Sequence, residues 1–167
     1  MNHPKAIDGF TFVEVIAVLV IVVIISAVVI SKSGSFSADL VSQTEILKNH
    51  LRYAQTLGMS GTDSSDVFGM KCDTAFYWMF KGNDPDVNII MLPDDQRYNT
   101  GNGKLDLAVK KIAITAFTVF FDQRGIPYSS YPDDTNKVPY SEDLSITVTK
   151  AGDVESITVT LHTGFIP

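Results

Sequence analysis

Residues 10–30 read FTFVEVIAVLVIVVIISAVVI. Only Thr11, Glu14 and Ser26 interrupt this apolar run of twenty-one residues. At about 1.5 Å of rise per residue a helix of that length reaches roughly 31 Å, matching a hydrocarbon core of about 30 Å. The run therefore predicts one transmembrane helix over Phe10–Ile30. Its anomaly is Glu14, a carboxylate inside the first turn. An acid within a span costs roughly 3 kcal/mol unless it meets a partner or water. Either a cation pairs with Glu14, or Glu14 marks the solvated start of the span among the lipid headgroups.

The surrounding residues bear on that choice. Met1 to Gly9 is a short polar leader, followed by Phe10-Thr11-Phe12-Val13-Glu14-Val15 and then the apolar run. This order of Gly, Phe, Thr, an apolar pair and Glu resembles the processing site of type IV prepilins and type II secretion pseudopilins. The resemblance implies a cut between Gly9 and Phe10 by a membrane prepilin peptidase, removal of residues 1–9, and N-methylation of Phe10 as the new amino terminus. It also implies a single-pass protein of the bacterial inner membrane whose carboxy-terminal head lies in the periplasm or in a pilus or pseudopilus. Its partners would be other subunits, the peptidase, an inner-membrane assembly platform and membrane lipid.

Elementary electrostatics gives the pattern a purpose. Cleavage before Phe10 creates a cationic amine four residues from Glu14. Opposite charges attract strongly in a low-dielectric setting, and pairing relieves the desolvation of both. Between neighbouring helices such a pair sets an axial stagger, and a head-to-tail contact that does not close gives an open helical polymer. In the resembled families the corresponding acid is thought to pair with the amine of the adjoining subunit. A conventional signal peptide cut near Ser33-Gly34-Ser35 is the competing reading, but it leaves Gly9 to Val15 unexplained. The positive-inside count does not fix orientation, because Lys5 and the initiator amine are offset by Asp8 while Lys32 lies beyond the run.

The chain has 167 residues and a formal charge of −6, with 19 Asp and Glu against 13 Lys and Arg. About 110 residues beyond the long helix suffice for one domain. The acidic balance, carried by loops such as Asp84–Asp86, Asp94–Asp95 and Asp133–Asp134, opposes binding to nucleic acid. A DNA-uptake minor pilin, which would need a basic patch, is thereby disfavoured. The single Cys72 excludes an internal disulfide and is expected to be buried in a strand. Typical major pilins close a carboxy-terminal loop with a disulfide, so the chain departs from them there.

After Ile30 the pattern becomes amphipathic. Leu40, Leu47, Leu51 and Ala54 form a stripe widened by Ile46, Tyr53 and Leu57, with Asp39, Glu45, Lys48 and Arg52 mostly elsewhere. This predicts a helical continuation over residues 31–60, bent or melted near Ser31–Ser37 and ended by Gly58 and Gly61. No proline follows the apolar run, so a kink there has no evident cause. Residues 61–167 predict a β-rich head. Its strands fall at Val67–Cys72, Ala75–Phe80, Val87–Leu92 and Lys111–Phe121, with a hairpin of Leu144–Thr149 and Val154–Leu161 turning at Lys150–Asp153. Pro93–Lys104 and Gly125–Tyr140 read as loops. The fold class is α+β: a long amino-terminal helix, transmembrane in its first half, packed on an antiparallel sheet. That is the pilin-like architecture.

Three further segments narrow the resemblance. Leu51-Arg52-Tyr53-Ala54-Gln55, Phe120-Phe121-Asp122-Gln123-Arg124-Gly125, and the last strand leading into Thr163-Gly164-Phe165 are similar to the H-type minor pseudopilins and related minor pilins. A structural minor subunit, with no enzymatic activity and no cofactor, is the implied function. The alternative class is a membrane-anchored periplasmic binding module that uses the aromatic strand Phe76-Tyr77-Trp78-Met79-Phe80, although alternate strand residues ordinarily enter a core. No other chemistry is well supported. Asp84, Asp86 and Asn88 alternate like the start of a calcium loop, but Ile89 stands where such a loop needs Gly. His3, His50 and His162 lack zinc-ligand spacing. Gly101-Asn102-Gly103 reads as a turn rather than a phosphate cradle.

Overall fold

Thr11 opens the first helix. Its hydroxyl accepts the Glu14 N–H at 3.3 Å and its carbonyl accepts the N–H groups of Glu14 and Val15 at 3.0 and 3.2 Å. This is the N-cap geometry that satisfies otherwise orphaned donors. The computed structural model describes residues 11–33, 38–63, 66–93 and 101–167, except for the side chains of 29–33. It divides into two compact units, Met1–Ser37 and Ala38–Pro167.

The first unit contains α1, Phe12–Ser33. The hydroxyl of Ser26, within the apolar run, is satisfied internally by donating to the Val22 carbonyl at 2.7 Å. The large apolar side chains from Phe12 through Val28 are exposed around the whole circumference, Phe12 by 80%. The apolar side chains described within α1 cover roughly 25 Å of rise, short of a hydrocarbon core of about 30 Å. Among the described residues no helix is long and apolar enough to cross a membrane. Phe10 and the side chains of Val29 and Ile30, which complete the run read from sequence, lie outside the described residues.

The second unit is α+β, with a helix packed on antiparallel sheet. Helix α2, Ala38–Ser60, buries Leu40, Thr44, Leu47, His50, Leu51, Ala54 and Gly58 on one face. The recurrence of these residues at three and four positions produces that stripe. Tyr53, expected to widen it, is exposed instead. Gly58 does not end the helix either. It is buried within the last turns, and a Cβ there would meet the Phe121 carbonyl oxygen at 2.7 Å. The missing side chain lets α2 lie directly on strand backbone.

The strands are β1 Phe68–Cys72, β2 Phe76–Lys81, β3 Ile89–Ile90, β4 Leu105–Asp106, β5 Ala113–Ile114, β6 Phe117–Phe121, β7 Pro127–Ser130, β8 Val138–Pro139, β9 Leu144–Lys150 and β10 Asp153–Val159, with α3 at Leu107–Lys110. They form two antiparallel sheets rather than one. The larger has the order β3-β2-β1-β6-β7-β8, with β4 also on β2, and the smaller is β10-β9-β5. The run read as one strand over Lys111–Phe121 divides between them: β5 joins β9 and β6 joins β1. The segment Val87–Leu92 contracts to Ile89–Ile90. Within Gly125–Tyr140, read as loop, β7 and β8 extend the larger sheet. The short α3 is capped by Asp106, whose carboxylate accepts the N–H groups of Ala108 and Val109, and it ends at Lys111 with φ 56°.

Helix α2 packs on β1 and β6 of the larger sheet and on β9 and β10 of the smaller. One core joins Leu47, Leu51 and Ala54 to Met70, Met79, Val119, Ile146 and Ile157. A second, on the other face of the larger sheet, contains Val67, Trp78, Phe80, Phe120, Tyr128 and Tyr131. Strand β2 therefore serves both: Tyr77 and Met79 face one core, Trp78 and Phe80 the other. The hairpin between β9 and β10 turns on Ala151 and Gly152, both at positive φ.

Candidate functional site

Of the residues read as the processing and assembly site, Gly9 and Phe10 lie outside the described residues and Glu14 lies within them. Glu14 is the third residue of α1, three positions after the capping Thr11, and it is exposed. Thr-x-x-Glu before an apolar run is the capping-box pattern. It is legible in the sequence as Thr11-Phe12-Val13-Glu14 and adds a capping role to Glu14 beside those of pairing or marking the start of the span. Only one half of the box is formed, since the Thr11 hydroxyl takes the Glu14 N–H. The carboxylate stands at the positive pole of the helix dipole, which favours an anion there by about 0.3–1 kcal/mol. Its oxygens have no hydrogen-bond or ionic partner among the described residues, which leaves them available to a cation. A capping role and a pairing role are compatible, because the first uses the backbone N–H and the second uses the carboxylate.

In the head, the three segments that narrowed the resemblance meet at one point. The Gln55 side-chain amide donates to the Gly125 carbonyl at 2.9 Å and to the Gly164 carbonyl at 3.0 Å. One turn earlier, the Arg52 guanidinium donates to the Ile166 carbonyl at 3.0 and 3.3 Å. Gly125 and Gly164, at φ 72° and 62°, lie so close that a Cβ on Gly164 would collide with the Gly125 carbonyl. The helix, the β6–β7 turn and the carboxy-terminal segment are thus fastened together by two side chains and two glycines. Ile166 is buried in the core beneath them.

The aromatic strand offers no open face. Trp78 is 1% exposed, and its indole N–H donates to the Pro85 carbonyl at 2.6 Å. Lys104 lies over the ring with its ammonium 3.6 Å from the centroid, a cation–π contact. In the acidic loop that resembles the start of a calcium site, Asp86 is committed to cations of the chain itself and Asp84 to the Asp86 N–H. Asp86 pairs with Lys71 at 2.6 Å and with Lys104 at 3.8 Å. The Lys71 hydrogen bond, against a smaller opposing burial effect, holds the Asp86 pKa below its ordinary value. Among the described residues no group of three His, Cys, Asp or Glu side chains could hold a metal ion. His50 is buried against the Tyr77 hydroxyl and the Pro93 carbonyl, each at 3.3 Å, while His162 is exposed. Cys72 is buried in β1, where desolvation pushes its thiol up to about 11.

Two adjoining cavities open at the end of the larger sheet where the β2–β3, β6–β7 and β7–β8 connections gather. One of about 340 Å³ is lined by Asp66, Val67, Asp122, Gln123, Arg124, Tyr131, Asp134 and Lys137. The other, of about 280 Å³, is lined by Val67, Gly82, Asn83, Tyr131, Pro132, Asp133 and Asp134. The polar groups of the first largely satisfy one another. Burial alone would raise the Asp122 pKa, but the N–H groups of Arg124 and Ile126, the Tyr128 hydroxyl and Lys137 hold it below the ordinary value. Such saturation stabilises loops and leaves little capacity for a small polar ligand. No family model, no curated protein and no solved structure matches this chain.

Proposed function

We propose that the chain is a structural subunit of the pilin and pseudopilin kind, of minor type, cleaved after Gly9, methylated at Phe10 and assembled into a type II secretion pseudopilus or a type IV pilus. In this reading Phe10–Ile30 anchors it in the inner membrane before assembly, and the head of residues 61–167 lies in the periplasm. The observation that carries the reading is α1, a helix exposing apolar side chains on every side, with one unpartnered carboxylate at its third residue. A helix apolar all round has its stable place in lipid or among other apolar helices. A carboxylate at its end then selects a cationic neighbour, and the freed amine of Phe10 in an adjoining subunit supplies one.

The minor-subunit assignment draws support from the joining of Arg52, Gln55, Gly125 and Gly164, because the segments that resemble minor pseudopilins are the ones that build this junction. The experiment has two arms. Gly9→Ala should leave full-length precursor in the membrane, and mass spectrometry that still finds a chain starting at Phe10 would defeat the processing step. Glu14→Ala should insert normally and enter filaments poorly. Unchanged incorporation would remove the pairing mechanism.

A further inference from the structure

We propose that the head carries a self-complementary contact in which Phe165 of one copy enters the 280 Å³ cavity of another, with Arg124 of the first copy facing Asp133 and Asp134 of the second. The contact goes beyond the assembly reading above, since it uses neither the leader, Glu14 nor α1.

The projecting side is rigid. Phe165 is 63% exposed, yet its backbone is fastened on both sides. Its N–H donates to the Thr163 hydroxyl at 3.2 Å, and its carbonyl accepts from the Thr160 N–H and hydroxyl at 3.0 and 3.1 Å. The flanking carbonyls of Gly164 and Ile166 are held by Gln55 and Arg52. A large aromatic held outward by bonded neighbours loses little further freedom on binding, which is the property of an interface anchor. Arg124 stands beside it, because Arg124 and Phe165 each adjoin one of the two touching glycines. The Arg124 side chain is 67% exposed and meets Asp122 at 3.4 Å and the Tyr128 hydroxyl, at the lip of the 340 Å³ cavity.

The receiving side has matching chemistry. The 280 Å³ cavity is lined by Val67, Tyr131 and Pro132 together with the carboxylates of Asp133 and Asp134. That volume lies just under the range of about 300–1,000 Å³ usual for small-molecule pockets, and it suits one inserted side chain. The lining is preformed: Asn83 donates to the Pro132 carbonyl at 3.0 Å, tying two loops together. Asp134 is held by Tyr131 and Lys137 but remains 57% exposed. Asp133 accepts the N–H groups of Thr135 and Asn136 within its own loop. An aromatic beside a guanidinium thus answers apolar lining beside two carboxylates. The occupant is assigned to a second copy because both halves of the match are present on this chain.

The test mixes two differently tagged populations of the full chain in detergent under mild oxidation, one carrying Pro167→Cys and the other Thr135→Cys, exposed positions that flank the contact and leave Phe165 and the cavity lining intact. Disulfides joining the two populations should exceed either same-site adduct by at least about tenfold, and Arg124→Glu on the first population should reduce them by a similar factor. Equal same-site adducts, no adduct, or indifference to Arg124→Glu would overturn the contact. As a second measurement, the unmodified chain should gain mass with concentration in sedimentation, and Phe165→Ser should abolish the gain. An unmodified chain that stays monomeric also overturns it. Repeating the cross-link with Glu14→Ala separates the two proposals: the adduct should persist there, and its loss would refute the claim that α1 is not involved.

Discussion

Replacing Gly58 by Ala poses the sharpest question about the head, because two physical effects predict opposite signs. Within a helix the change ordinarily stabilises by about 0.5–1 kcal/mol, since Ala loses less backbone freedom on folding. At this position a Cβ would sit 2.7 Å from the Phe121 carbonyl oxygen and 3.3 Å from both the Phe121 carbonyl carbon and the Asp122 carbonyl oxygen. All three neighbours are backbone atoms of β6 and its turn, so no side chain can rotate away. Relief requires α2 to lift off the strand, and overpacking of that kind costs about 1–3 kcal/mol. The balance is a loss of about 1–2 kcal/mol, on the order of 5 °C in Tm for a domain of this size. The unit Ala38–Pro167 contains its own core and the chain's one tryptophan, the buried Trp78. Urea unfolding of that unit followed by Trp78 fluorescence reads the change directly. A Gly58→Ala variant as stable as its parent, or more so, would refute the claim that helix and strand meet backbone to backbone.

Four other outcomes follow from described contacts. Gln55→Ala should cost about 1–2 kcal/mol and speed hydrogen exchange chiefly at residues 160–167, because it frees the Gly125 and Gly164 carbonyls; uniform exchange across the head would refute the local fastening. Asp122 has a lowered pKa in the folded state, so its contribution is complete above the ordinary value of 3.8 and is lost as pH falls through the lower folded value. Asp122→Asn should therefore destabilise by about 2 kcal/mol at neutral pH and flatten the acid limb of stability, as followed by urea titrations from pH 2 to about 6. Cys72, with its thiol near 11, should resist alkylation at pH 8 until the head unfolds; rapid native-state labelling would show that β1 is open. Ala151→Gly should stabilise the β9–β10 hairpin by about 1 kcal/mol, since Ala151 occupies φ 52° at the cost of a left-handed residue, and an unchanged melting temperature would count against that strain.

Periodic features were legible in the sequence. The stripe Leu40, Leu47, Leu51 and Ala54 marks the buried face of α2, and the terminal hairpin turns where the Ala-Gly pair stands between alternating strands. Cys72 lies in its strand because an apolar segment surrounds it. What stayed hidden depends on tertiary context. The run Lys111–Phe121 alternates without a break, so nothing local announces that Ile114 faces the smaller sheet's partner β9 while Phe117 pairs with β1. Strands β7 and β8 are short and flanked by Pro, Asp and Ser, and their pairing comes from the neighbouring β6 rather than from their own propensity. At the candidate site, Glu14 stands out as an acid in an apolar run, and its capping geometry is carried by the Thr11-x-x-Glu14 spacing. The junction at Gln55 could be suspected only from three separate stretches of similarity, since hydrogen bonds between residues 109 positions apart leave no periodic trace.

Only Thr115 and Ala116 separate β5 from β6, and Thr115 is itself bonded to Thr147 through its N–H and its hydroxyl. Neither sheet is therefore an excisable module. A circular permutation opened between these two residues would leave every strand intact and cut the shortest covalent link between the sheets, so that only α3, between β4 and β5, and residues 140–143, between β8 and β9, would still tie together the two surfaces that grip α2.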